Sequence, residues 1–128
     1  MPASKLYWLG CAAGAALLSA SLAHAQDGQA AYNANCLSCH QTDGRGVPGV
    51  FPDLTESPLL AGEAGPLLRY MLYQEKPEGF EGSGGFAAMP QFDYLDDATL
   101  AALLTFAREE FAGGAGAIGA EDVAAARD

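Results

Sequence analysis

The sequence predicts an all-α domain in which three main helices and long loops wrap around a group that the side chains alone do not supply. Three observations carry that expectation. Three stretches show helix caps or the three-and-four spacing of a buried helical face. The segments between them are rich in Gly and Pro and show no strand alternation. Three short helices also make a thin core for a chain of 128 residues, so something else must contribute apolar mass. With 50% hydrophobic and 17% charged residues, the chain is not of the disordered class, and its length allows one domain.

Taken in order, residues 1–25 read as an export signal rather than as part of the fold. Lys5 supplies the positive start, Leu6 to Leu22 is an apolar and small-residue run, and Ala23-His24-Ala25 is a peptidase site. Cleavage there starts the mature chain at Gln26 and places the protein in the periplasm. An uncleaved membrane anchor is the alternative, because the run approaches the roughly 20 residues a span needs. Cys11 lies inside the run, where a lipidation site is not expected.

Residues 26–128 are then the domain. The first helix runs from about Asp27, a potential cap, to Cys36, with Gly28 and Tyr32 on one face. The second runs from about Gly65 to Glu75, with Pro66 at its first position and Leu67, Leu68, Met71 and Leu72 as its apolar stripe. Pro77 requires it to stop. The third runs from about Ala98 to Phe111 with Asp97 as cap, and buries Leu100, Leu103, Leu104, Ala107 and Phe111. Gly113-Gly114 ends it. Residues 113–128 form a partly flexible tail with a short helical piece at Glu121 to Arg127. The intervening segments, Gln41 to Pro58 and Lys76 to Asp93, are long loops of the kind that hold something.

Charge and cysteine count exclude whole classes of function. Sixteen carboxylates against six Lys plus Arg give a net charge of −10, the wrong sign for nucleic acid. Three cysteines are too few for a disulfide scaffold. Once residues 1–25 are removed, Cys36, Cys39 and His40 are the remaining Cys and His residues, and they stand together in Cys36-Leu37-Ser38-Cys39-His40. C-x-x-C-H is the pattern for attaching a c-type haem. Two thiols three residues apart at a helix end reach the two vinyl groups, and the adjacent His comes under the iron. A zinc site wants four ligands, typically with a second Cys/His pair. A redox C-x-x-C belongs at a strand–helix junction, and no strand precedes Cys36. A plain disulfide leaves His40 unexplained.

With these residues the chain resembles the class I c-type cytochromes, small mono-haem electron carriers, over about Asp27 to Phe111. The resemblance implies the cytochrome c fold around one covalently bound haem per chain. Gly28 and Tyr32 match a family Gly and aromatic on the first helix, with Leu103 and Phe106 as the matching contact on the last. Gly44-Arg45-Gly46-Val47-Pro48-Gly49-Val50-Phe51-Pro52-Asp53-Leu54 is similar to the family loop that follows the haem motif. By that likeness Pro52 offers its carbonyl to the proximal His, and Leu54 packs on the haem.

Two methionines follow His40. Met71 lies on an apolar helix stripe, where core packing explains it. Met89 lies in Gly84-Gly85-Phe86-Ala87-Ala88-Met89-Pro90, a loop of small residues that can approach the iron, and the family places its Met ligand in such a loop. His40 and Met89 are therefore the expected axial ligands. A thioether–imidazole pair leaves no open position, which points to a single-electron carrier and away from a peroxidase or gas sensor. The tail from Ile118 to Arg127 resembles tails of cytochromes associated with dehydrogenases and oxidases, so a subunit of such a complex is the alternative to a free, monomeric shuttle. Glu75, Glu78, Glu81, Asp93, Asp96 and Asp97 against Lys76 suggest redox partners with a basic docking rim. A membrane is met only through partners or an uncleaved N-terminal segment.

Overall fold

A computed structural model describes residues 27–80 and 88–128. The expected signal at residues 1–25 and the Gly-rich run 84–87 lie outside the described residues. The described elements are helical: α1 (27–35), α2 (Leu37–His40), a 3-10 turn (Leu54–Glu56), α3 (Pro58–Ala61), α4 (Ala64–Tyr73), α5 (Asp97–Phe111) and α6 (Ala120–Arg127). The one departure among them is an isolated bridge between Val47 and Phe51 in the first long loop.

Helix α1 crosses α5 at Gly28. A Cβ at this position would run into the Ala102 carbonyl and approach within 2.8 Å of Phe106 Cβ. Glycine therefore sets the distance between the two helices. Phe106 was expected in this contact; Ala102 replaces Leu103, which turns instead toward the cavity described below. Below the crossing, the fully buried Tyr32 ring lies 5.5 Å from Phe106 and 5.3 Å from Phe111.

Helix α5 starts one residue earlier than its sequence suggests. Asp96 is the cap, because its carboxylate accepts from the Thr99 N–H and hydroxyl, both at 2.8 Å. That holds its own carboxyl below the usual Asp range. Asp97 is the first helical residue and pairs with Arg127 at 2.7 Å. Helix α4 likewise begins at Ala64, so Pro66 stands third rather than first, still among the N–H positions that have no partner within the helix. It ends at Tyr73, where Gln74 turns left-handed (φ 58°) and its N–H caps Tyr70 O at 2.8 Å. The first long loop is more ordered than expected. Ser57 caps α3, Leu60 N–H donating to its hydroxyl at 3.2 Å, and Pro58 opens the helix.

The segment expected as a partly flexible tail folds back onto the body. The nearly buried Arg108 donates from Nε to Gly116 O at 2.9 Å and from Nη2 to Ala115 O. Thr105 Oγ1 donates to Ile118 O and accepts from its N–H. Helix α6 then buries Val123 completely against α4 and α5. No helix among the described residues is long and apolar enough to cross a membrane.

Replacing Gly28 with Val should push α1 off α5 and cost about 1–3 kcal/mol, the usual range for overpacking. Chemical denaturation followed by far-UV circular dichroism measures it. A cost near zero would show that the two helices are not held by this contact.

Candidate haem site

The last turn of the first helical segment carries the motif. Cys36 interrupts the helix without breaking the chain of bonds: its N–H donates to Tyr32 O and the His40 N–H to Cys36 O, both at 2.8 Å. Gln41 then leaves the helix at φ 63°. Its carbonyl accepts from the Tyr32 hydroxyl at 2.7 Å, and burial raises the Tyr32 phenol well above its ordinary range. The turn that presents His40 is thus anchored on the α1–α5 crossing.

His40 is buried and held from two sides by the loop that follows. Its backbone carbonyl accepts from the Gly46 N–H at 3.0 Å. Its Nδ1 lies 3.1 Å from the Pro52 carbonyl. A carbonyl can only accept, so Nδ1 carries the hydrogen and the Nε2 lone pair is left to coordinate. Burial lowers the imidazole pKa, and the Pro52 bond pulls it partly back. A neutral ring is what a metal needs.

The Pro52 carbonyl is aimed by the tight loop 44–54. The Val47 and Phe51 backbones exchange bonds at 3.0 and 2.8 Å, and the Leu54 N–H closes onto Gly44 O at 2.7 Å. Gly46 sits inside at φ 63°, where a Cβ would strike the Phe51 and Pro52 carbonyls.

These groups open on one cavity of about 700 Å³. Cys36, Cys39 and His40 lie on one wall, and Pro52 and Leu54 stand beside them. Leu60, Leu67, Leu103 and Leu104 supply apolar walls from α3, α4 and α5. Met89 and Met71 both reach this cavity. Met71 is also fully part of the core, whereas Met89 is half-buried on irregular chain. Sequence reasoning assigned Met71 to packing alone; its place at the cavity depends on the angle of α4, which no local pattern encodes.

The donor set fits a covalently held haem better than its rivals. Cys36 and Cys39 are free thiols. Burial, then the neighbouring Cys39, pushes the Cys36 thiol up to about 12, opposite to the lowered value of a redox-active C-x-x-C. Among the described residues no three His, Cys, Asp or Glu side chains gather into a metal-binding group. A large apolar cavity, two thiols on its wall and a neutral His with one nitrogen committed match a flat apolar cofactor with an iron centre.

The comparisons with known proteins agree. The sequence model of the family described as Cytochrome c matches residues 25–109, so the chain belongs to the cytochrome c family, whose members bind a covalent c-type haem and carry electrons. The chain is similar to cytochrome c-552 of Thermus thermophilus, with 38% identity over 96 residues. That alignment covers 69% of this chain and 63% of the relative's length.

Gly46→Ala and Gly49→Ala separate backbone strain from collision. Both positions have positive φ, but nothing lies within 4 Å of a Cβ at Gly49. Gly49→Ala should cost roughly 1 kcal/mol and Gly46→Ala roughly 3 kcal/mol, the two ends of the strain range. Equal denaturation midpoints would show that Gly46 does not guard the Pro52 carbonyl.

Proposed function

We propose that this chain is a periplasmic single-electron carrier in which His40 Nε2 and Met89 Sδ are the axial iron ligands of one covalent haem. The observation that carries it is the His40–Pro52 pair opening on the same apolar cavity as both thiols and the Met89 thioether. The haem supplies the one-electron chemistry. Cys36 and Cys39 hold it through thioether bonds. His40 would hold the iron through Nε2, its orientation and basicity set by the Pro52 carbonyl. Met89 would hold it through its thioether, and a haem so ligated would offer peroxide and oxygen no open position. The Leu walls exclude water, which keeps the rearrangement on electron transfer small. Export through residues 1–25 supports a periplasmic site of work. The tail spends its buried anchors, Ile118 and Val123, on its own body, which favours a free shuttle over a complex subunit.

The ligand assignment is tested by absorption. The oxidised protein should show the weak near-infrared sulfur-to-iron charge-transfer band. Met89→Ala should remove it and open the iron to cyanide. Met71→Leu should keep it at a stability cost under about 1.5 kcal/mol, since volume is conserved. Loss of the band in Met71→Leu with retention in Met89→Ala would reverse the assignment.

The partner reading is a redox protein with a basic rim, drawn by the net charge of −10. Several of the carboxylates near the Met89 segment are already engaged: Glu75 with Arg69, Asp97 with Arg127, and Asp96 in capping. Glu81 lies outside the described residues. Glu78 and Asp93 are exposed and form no salt bridge among those described. They are the pair to change. The Debye length falls from about 30 Å at 0.01 M salt to about 10 Å at 0.1 M. The second-order rate with a basic partner should fall steeply over that range, and less so in Glu78→Gln with Asp93→Asn. A salt-independent rate in the unmodified protein would exclude acidic steering.

A further inference from the structure

We propose that Arg127, in the last turn of α6, is a positioning residue for the Met89 segment, so that the C-terminal helix governs how firmly the sulfur ligand closes the iron. The inference rests on Met89 being that ligand.

The segment after Met89 is pinned at successive points. Gln74 Nε2 donates to Pro90 O at 3.3 Å, and the Phe92 N–H donates to Met71 O at 2.8 Å while its ring is buried. Beyond Phe92 the chain has little apolar anchorage: Asp93 and Tyr94 are exposed, and Leu95 is half-buried. Arg127 takes over there. Its Nη1 donates to Asp93 O at 3.0 Å, its Nη2 to Leu95 O at 2.6 Å and its Nε to Asp97 Oδ1 at 2.7 Å. One planar guanidinium thus spans the turn between the Met89 segment and α5.

The position of this cation is informative. It lies beside the N-terminus of α5, the positive end of the helix dipole, where a cation is disfavoured. Asp97 and the two loop carbonyls offset that cost, so the group is held by the loop it restrains. Its own backbone is fixed from behind: Tyr73 Oη donates to Arg127 O at 3.2 Å, and Val123 is completely buried. The restraint therefore runs from α4 and α5, through α6 and Arg127, into residues 93–97.

The test compares the haem-loaded protein with its Arg127→Ala, Arg127→Lys, Met89→Ala and Thr105→Val variants. Thr105→Val removes the Thr105–Ile118 contacts at the other end of the tail without touching residues 93–97. The readouts are the rate of cyanide binding to the oxidised iron and the pH at which the sulfur-to-iron band is lost, with far-UV circular dichroism as the folding control. Arg127→Ala should speed cyanide binding about tenfold, consistent with lost hydrogen bonds to a charged group, and should lower the pH at which the band disappears. Arg127→Lys should give a smaller increase, because an ammonium lacks the planar fork. It carries the test by the same criterion if Arg127→Ala does not fold. Thr105→Val should stay within about twofold of the unmodified protein. If Met89→Ala accelerates cyanide binding but neither Arg127 variant does, the ligand assignment stands and the proposal is overturned. If Thr105→Val accelerates it as much as Arg127→Ala, the effect is general loosening of the tail and the proposal is overturned. If the unmodified protein lacks the band and Met89→Ala changes nothing, the ligand assignment falls and the proposal with it.

Discussion

Leu67, Leu103 and Leu104 are each no more than 3% exposed and belong to the core, yet they also line a cavity of about 700 Å³. Apolar side chains around a hollow of that size lose the dispersion contacts of a packed core unless an apolar group occupies it. The other architectural features follow from the need to fill it. The apolar residues form a shell, the helices are short, and the loops are long enough to reach around a bulky guest. A covalently attached haem satisfies that constraint, because it is apolar mass tied to the chain at the Cys36–Cys39 turn.

The approach to His40 shows the same economy. One loop, residues 44–54, fixes the residue twice, through its backbone carbonyl by the Gly46 N–H and through its ring by the Pro52 carbonyl. The Leu54 N–H seals the loop onto Gly44. A single Cβ at Gly46 would displace the carbonyl that sets the imidazole's tautomer. Packing and metal chemistry are joined at this point: the turn geometry of the chain decides which nitrogen is available.

Charge follows packing as well. The acidic composition suggests a broad docking field, yet Asp96 caps α5, Asp97 neutralises Arg127, and Glu75 holds Arg69 through two bonds at 2.6 and 2.7 Å. These carboxylates organise the loop junctions before they face any partner. The exposed apolar side chains Val47 and Val50 lie on the same loop that aims Pro52, so the surface of that loop is less polar than the overall charge implies.

The sequence by itself determined the helical class, the thin core and the attachment motif, because these depend on neighbours within one or two turns. Leu67, Leu68, Met71 and Leu72 mark a helix face by spacing alone, and Cys36, Cys39 and His40 state their chemistry by adjacency. It also marked Gly28, Pro52 and Met89, though only through likeness to a family, since nothing within the chain says what a lone glycine or loop proline touches. Tertiary structure decided the rest. The choice of Asp96 over Asp97 as cap is a local exception, made by Thr99 three residues on. Ala102 rather than Leu103 met Gly28 because of the rotation of α5 about its axis. Residues 113–128 became a docked segment because Arg108 and Thr105 turn the chain back within 7 to 13 residues and α6 then meets α4 and α5. Arg127 meeting Asp93, Leu95 and Asp97 has the same cause. The Arg127 contacts span 30 to 34 residues, and such pairings are set by how whole helices pack, which no short window of sequence contains.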